Sequence, residues 1–476
     1  MEGAPHGGAG GVGPAFLPGL PLAKSLGASW AAPAKGNAGV ARAACRAVAA
    51  WTSASVTWRF LGLDRPTLGR LARRFFPRLM GLGRPPGAMV SGGPPEGPDY
   101  LFWGLIDWHY RLQRPQHLAR ELARTGRRIF YISPNFVDHH NPGFRVEALD
   151  REGRLYQVFL QVRGAPSIYF EMPSIAAQRQ LSASVCKLVA WAGIQSPISL
   201  VQHPFWSHLA SVPAPARLVY DRMDLHEGFH FDKDTYSTGL SQAELALFGR
   251  ADLTILSSAW LDQDTAPHTE RRLLLRNAVD FQHFATKPKA AFRDPAGRRV
   301  IGYFGAIAEW MDLGLVEATS QRFPDCLILL IGHDQCRAKQ YLSGLPNVRL
   351  TGELPYARLP YYLHGFDVCI LPFRRIPLTL ATNPVKVYEY LSAGKPVVSV
   401  ALPEMEALSH LVTVAEDEAG FLHGIDEALA EGAATTDPSA LRQAFAAGQT
   451  WTLRCETLRR AVEDEFSSAD PVERKG

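Results

Sequence analysis

The chain is poor in cysteine. Six occur in 476 residues, at 45, 186, 326, 336, 369 and 455, and none sits in a CxxC or Cys/His cluster. That scatter points to neither a zinc site nor a disulfide framework, and a reducing cytosol is the simplest compartment. Long apolar runs are lacking too. The best, around Ala47–Trp58, is flanked by Arg46 and Arg59 and falls short of the ~20 residues that span a bilayer. A strong charge of one sign is also missing. Residues 1–97 hold eleven Lys and Arg against three acidic residues, yet the whole chain carries only +4. The remainder is therefore net acidic, and its charge gives no argument for nucleic-acid binding. Apolar content of 46% with 20% charged residues is ordinary for a globular protein. The length exceeds a single-core domain, so two domains plus extensions are expected.

Residues 1–37 are rich in Gly, Ala and Pro without periodicity and read as disordered. Residues 38–83 are compatible with partial helix and interleave Arg with Trp51, Trp58, Phe60, Phe75 and Phe76. Such a segment fits a basic amphipathic contact with anionic membrane, or a solvated extension, or sequence upstream of a start at Met89. Its Arg-rich, acid-poor character also resembles an organelle transit peptide, although it runs long for one. SGGPPEGP, 91–98, is a linker.

From Tyr100 short apolar strands alternate with helices: YLFWGLI, RIFYIS, YQVFLQV, SLVQHP, RLVYDRM and LTILSS. From Val300 the theme repeats in VIGYFGAI, CLILLIG, VRLTGE, VCILPF, PVVSV and LVTVA. Alternation of this kind predicts an α/β protein with two doubly wound, Rossmann-like parallel sheets. The expected divisions are 1–97 for the extension and linker, 98–282 and 283–440 for the two domains, and 441–476 for a C-terminal helix and tail. The seam falls near RNAVDFQHF, 276–284. The last helical stretch, Leu441–Phe466, has no partner strand and is expected to dock on the first domain.

Ligands of such sheets bind at the carboxyl ends of the strands. The segment TNPVKVYEYLSAGKPVV, 382–398, follows one such end. Asn383-Pro384 predicts a helix start, with Thr382 or Asn383 as cap and Pro384 in the first turn, and Gly394 predicts its stop. The open amides favour an anion. Lys386 can reach a phosphate from the first turn, and Glu389, on the same face, can accept hydrogen bonds from a ribose diol. A solvated Lys–Glu ion pair is the plain alternative.

In the first domain, Asp107 and His109 follow the first strand, and Arg111, Gln113 and Arg114 lead into the next helix, a pattern able to grip an acidic or phosphate-bearing group, or else a surface loop with ordinary ion pairing. Asp221, Asp224, His226 and Glu227 follow RLVY, with Asp224 and His226 the leading proton acceptors and Asp107 and His109 the next. The spacing Asp-x-x-Asp-x-His also permits metal ligation. His203 and His208 around Pro204-Phe205-Trp206 read as a structural corner. Trp108, Tyr110, Trp206, Phe229 and Trp310 could form a sugar-stacking wall or belong to the core.

Taken together, WHYRLQRPQHLARELARTGRRIFYIS, LVYDRMDLHEGF, RNAVDFQHF, IGYFGAIAEW, LPNVRLTGELPYARLPYYLHGFDVCILPF and TNPVKVYEYLSAGKPVVS resemble the bacterial group 1, or family-four-like, glycosyltransferases of cell-surface polysaccharide synthesis. The resemblance covers about residues 100–410. It implies the GT-B fold: two Rossmann-like domains facing a central cleft, the first binding acceptor and the second a nucleotide-sugar. It implies transfer of a sugar from a nucleotide-diphosphate donor to a glycan or lipid-linked acceptor. Thr382, Asn383, Lys386, Tyr388 and Glu389 would contact the donor. Such systems are metal-independent, so neither a metal nor a resident cofactor is expected. The protein would be cytoplasmic, with peripheral contact at the inner face of the membrane as a further expectation.

Two departures stand out. The family commonly has two glutamates eight positions apart. Glu389 matches the second, but Ala381 stands at the first. The family's basic pair after the first strand of the second domain falls in GAIAEWMD, where Ala306 and Trp310 lie instead. Lys386 is the best substitute, and a subfamily variant is the preferred reading. A catalytically weak module that binds nucleotide-sugar or glycan, and a nucleotide-sugar epimerase, remain as alternatives.

Overall fold

The computed structural model describes residues 95–229, 235–431 and 438–464, all within one compact unit. The expectations for residues 1–94, including membrane contact and the start at Met89, lie outside the described residues.

Two sheets form. The first contains β1 (Tyr100–Trp103), β2 (Ile129–Ile132), β3 (Val137–Asp138), β4 (Phe144–Ala148), β5 (Leu155–Val162), β6 (Ile198–Val201), β7 (Arg217–Arg222), β8 (Leu253–Leu256) and β9 (Arg272–Leu274). Its order is β3-β5-β2-β1-β6-β7-β8-β9, with β4 antiparallel on β5. The second contains β10 (Arg299–Phe304), β11 (Cys326–Ile331), β12 (Val348–Gly352), β13 (Val368–Leu371), β14 (Val397–Val400) and β15 (Thr413–Ala415), ordered β12-β11-β10-β13-β14-β15 and parallel throughout. The central strands YLFW, IFYI, CLILLI and VCIL are buried at every position. Continuous apolar strands of this kind need cover on both faces, which is why helices flank each sheet.

Alternate residues of β1 serve opposite faces. Leu101 and Trp103 meet Leu181, Val185 and Leu188 of α2 (Ile175–Ala192). Tyr100 and Phe102 meet Leu118 and Leu122 of α1 (Arg114–Arg124) and Trp451, Cys455 and Leu458 near the end of the described chain. The second domain has one core, to which Val387, Tyr388, Tyr390 and Leu391 of α3 (Val385–Ser392) belong.

Where a single helix over Leu441–Phe466 was expected, two occur. Helix α4 (Ser439–Ala447) packs on the second domain through Ala446, and α5 (Trp451–Arg459) packs on the first. The break falls at Gly448–Thr450, where Gly448 ends α4 and the Thr450 hydroxyl accepts from the Leu453 amide to start α5. The Trp451 indole stacks on the His117 ring at 4.9 Å and 7°. Glu463 then accepts from Tyr100 Oη at 2.7 Å and pairs with Arg127.

Candidate active site

Strand order reverses between β1 and β6 in the first sheet and between β10 and β13 in the second. The carboxyl ends at those points are where ligands of such sheets sit. Contacts between the domains bound the space they share. On one side the Asn277 amide donates to Asn383 Oδ1 at 2.9 Å, Asn277 Nδ2 donates to the Asn383 carbonyl at 2.7 Å, and Asn383 Nδ2 donates to Glu404 at 2.7 Å. Glu404 also accepts from Arg276 at 2.7 Å and from the Ala259 amide at 2.8 Å. Beside this joint, Ala381 is fully buried among Leu256 and Leu261, and its carbonyl accepts from Ser258 at 2.6 Å. On another side Arg111 reaches across to Glu353 with two bonds, at 2.6 and 3.1 Å.

Helix α3 begins differently from the expectation. Pro384 occupies the cap position, and no side chain caps the helix. Asn383 is drawn instead into the joint and also donates to Tyr388 Oη at 3.0 Å. Thr382 Oγ1 donates to the Leu378 carbonyl at 2.8 Å. Gly394 does stop the helix, in the left-handed conformation at φ +71°. Three of the five residues expected at the donor, Thr382, Asn383 and Tyr388, are thus engaged by the protein itself.

Lys386 and Glu389 are not. Neither side chain makes a hydrogen bond or an ion pair with any described residue, and Glu389 is only 7% exposed. Burial pushes the Glu389 carboxyl up to about 7, with Lys386 opposing that shift, and burial lowers the Lys386 amine. The Lys386 chain lies across Gly305 at the carboxyl end of β10. A Cβ on Gly305 would meet Lys386 Cε at 2.0 Å, and its φ of +148° is tolerated by glycine. From the first domain, Asp224 acts electrostatically on Lys386. Its carboxyl rises to about 7 through burial, which outweighs Arg114 and Lys386 and is reinforced by Asp221. Asp224 also makes no hydrogen bond or ion pair with a described residue. Glu389 is buried and Asp224 and Lys386 are partly buried, and a base, an amine and a second carboxyl left without hydrogen bonds to described residues together mark a candidate site.

The other expected residues are placed otherwise. Asp221 is fully buried and takes three bonds from Arg114, the closest at 2.8 Å. Arg114 also donates to the Leu275 carbonyl, so both belong to the scaffold beneath the site rather than to its surface. Asp107 accepts from Ser133, Asn135 and Gln157, each at 2.9 Å. His109 is exposed and paired with Glu147 at 3.0 Å. The Gln113 amide donates to Gln116 Oε1 at 3.1 Å at the start of α1. His226 is buried with its ring 5.0 Å from that of His203. Glu227 accepts from Ser241. His208 is lowered to about 4 by burial and Arg250.

Of the aromatics read as a wall or as core, Trp108 and Trp206 are core. Trp206 packs against Trp103 and Phe136, and Trp108 meets Tyr131 edge-on at 5.3 Å. Trp310 is partly buried against the second core. Tyr110 is half exposed beneath Arg111. The side chain of Phe229 lies outside the description. Among the described residues no cluster of three or more His, Cys, Asp or Glu is placed to hold a metal, and no helix is long and apolar enough to cross a membrane. Glu353 and Glu404 escaped the sequence reading. Glu353 follows VRLTG at a strand's carboxyl end, the same signal that marked Asp107.

The architecture is that of the GT-B glycosyltransferases. Sucrose-phosphate synthase from Thermosynechococcus elongatus aligns with a TM-score of 0.58 at 15% identity, covering 81% of this chain and 100% of that one. Anabaena HepE, solved with UDP and glucose, aligns with 0.52 at 15% identity over 78% and 100%. The catalytic domain of Arabidopsis thaliana starch synthase IV, bound to ADP and acarbose, aligns with 0.58 at 12% identity over 78% and 100%. Residues 298–433 match the family described as glycosyl transferases group 1. Over 174 residues the chain is 31% identical to the Bacillus subtilis protein TuaH, named for teichuronic acid biosynthesis glycosyltransfer. That match covers 34% of this chain and 44% of the relative, so it spans less than half of the curated protein.

Proposed function

We propose that the chain transfers a sugar from a nucleotide-diphosphate donor to a glycan or lipid-linked acceptor of cell-surface polysaccharide synthesis. The observation that carries this reading is the unpartnered Lys386–Glu389 pair at the switch point of the second sheet. Asp224 stands opposite, within electrostatic reach of Lys386. In this reading Glu389 accepts hydrogen bonds from the donor ribose, and Lys386 with the amides of α3 faces the diphosphate. Asp224, as carboxylate, takes the proton of the acceptor hydroxyl as its oxygen bonds to the sugar's anomeric carbon. The bond from that carbon to the diphosphate oxygen breaks, and the electron pair leaves on the nucleoside diphosphate. Lys386 offsets the charge that develops there. No metal is assigned a part. The residues of the joint, Asn383 and Tyr388 among them, hold α3 in place. A soluble acceptor or one at the inner face of the membrane fits equally.

The test is a thermal-shift screen of the full chain against UDP-, GDP-, ADP- and dTDP-sugars, followed by mass spectrometry of products with candidate acceptors. Donor binding raises stability by mass action. Transfer supports the reading. Binding with no product for any acceptor would support a binding module, and a converted donor sugar without acceptor would support an epimerase.

A further inference from the structure

A departing diphosphate carries more charge than one lysine can balance. The loop after β10, Gly305 to Met311, reads GAIAEWM and contributes no cation. The two arginines after β13 are occupied at the surface: Arg374 donates to the Glu309 carbonyl at 3.3 Å and Arg375 pairs with Glu416 at 3.0 Å. Arg111 is different. It belongs to the first domain, yet its guanidinium is gripped by Glu353 of the second at 2.6 Å. It acts electrostatically on both Lys386 and Tyr303. The Tyr303 hydroxyl donates to the Ala306 carbonyl at 2.9 Å, in the loop beneath Lys386. Arg111 and Lys386 are therefore two like charges within electrostatic reach of each other, an arrangement that favours an anion between them.

We propose that Arg111 is the second phosphate-binding cation of this site: it exchanges Glu353 for the donor's diphosphate and stands beside Lys386 there. Glu353 is then the resting partner that holds the guanidinium oriented while the site is empty. The planar fork that makes two bonds to a carboxylate matches phosphate oxygens equally well. Because Arg111 comes from the first domain and Lys386 from the second, the diphosphate bridges the two, and nucleoside monophosphates or nucleosides bridge them less well. This assignment rests on the donor-binding reading above. It moves Arg111 from the acceptor side, where the sequence pattern suggested it, to the donor.

The experiment measures affinities of the full chain for UDP, GDP, ADP and dTDP, then for the monophosphate and nucleoside of whichever binds tightest. Arg111→Ala should weaken diphosphate binding about ten- to a hundredfold, weaken the monophosphate less, and leave the nucleoside unchanged. Arg111→Lys should recover part of the loss. Glu353→Gln removes the competing carboxylate and should tighten diphosphate binding severalfold, but have no effect when Arg111 is already Ala. Melting of each variant without ligand checks that it is folded. If wild type binds none of the four diphosphates, the donor reading itself fails and this inference with it. If wild type binds but Arg111→Ala binds diphosphate equally well, the donor reading stands and the role of Arg111 is overturned.

Discussion

At the carboxyl end of the first sheet, Asp107 receives bonds from Ser133, Asn135 and Gln157, and Asp221 is held by Arg114. At the end of the second sheet, the Lys386 and Glu389 side chains make no hydrogen bond or ion pair with any described residue. Asp224, three residues beyond Asp221, is a first-domain group that shares the second pattern. A carboxylate surrounded by donors is already spent on the scaffold, because a ligand would have to displace several good bonds. A buried carboxylate without donors costs free energy in the empty protein, and that cost is relieved when a ligand supplies them. Partner count thus separates residues that share a rim and a chemistry.

The sharpest way to break this comparison is to exchange the fates of Asp221 and Asp224. Asp221→Asn leaves the Arg114 guanidinium buried without its counter-charge. It should cost about 3–5 kcal/mol of stability, read from chemical denaturation. Asp224→Asn removes a group that holds nothing together. It should leave the denaturation midpoint near wild type or above it, while transfer slows by about a hundredfold or more with donor affinity intact. If Asp224→Asn keeps its rate, His226 becomes the next base to test, and if Asp221→Asn is harmless, partner count is a poor guide.

The pH profile sharpens the same contrast. Burial raises Asp224 to about 7, and a base works only when ionised. The transfer rate should therefore fall as pH drops below about 7, and this limb should disappear in Asp224→Asn. A flat wild-type profile between pH 5 and 8 would remove Asp224 from the chemistry.

Glu389→Ala should weaken nucleotide affinity by roughly 1–3 kcal/mol, measured by calorimetry. Glu389→Gln offers a second readout. The folded carboxyl titrates near 7, above its unfolded value, so the native state holds the proton more tightly than the unfolded one. That contribution is fully present below about pH 4 and is lost as pH rises to about 7. The glutamine variant should escape the loss and melt higher than wild type at pH 8 without ligand. Equal melting and equal affinity would place Glu389 outside the site.

The smallest effect concerns residues 1–88. A chain beginning at Met89 should bind donor normally but float less with anionic liposomes than the full chain, because each basic residue near such a surface adds about 1 kcal/mol, screened by salt. Equal flotation removes the membrane role from that segment.

Much of the fold was legible because it rests on local pattern. Runs such as CLILLI and VCIL announce strands buried on both faces, and the block around Lys386 and Glu389 sits where the pattern places it. What stayed hidden depends on distant partners. Nothing near Asp107 in the sequence shows that Ser133, Asn135 and Gln157 converge on it from neighbouring strands. Asn383 reads as a cap because it precedes Pro384, yet Asn277 and Glu404 recruit it for the joint between domains. Ala381 looks like a lost site residue, but its side chain is packed among Leu256 and Leu261, where a carboxylate would be stripped of water. The break between α4 and α5 was missed because the apolar pattern continues across Gly448 while its target changes.

The return of α5 to the first domain constrains how the protein is born. One face of β1, through Tyr100 and Phe102, shares its core with Trp451, Cys455, Leu458, Ala461 and Val462. On a ribosome those strands emerge early, while the residues that cover them are still untranslated, and the whole second domain must be made in between. During that interval a nascent first domain shows an apolar face to the cell, the kind of surface that holding chaperones engage. Maturation of the domain synthesised first therefore waits for residues that follow the second domain, and premature termination within the second domain harms both.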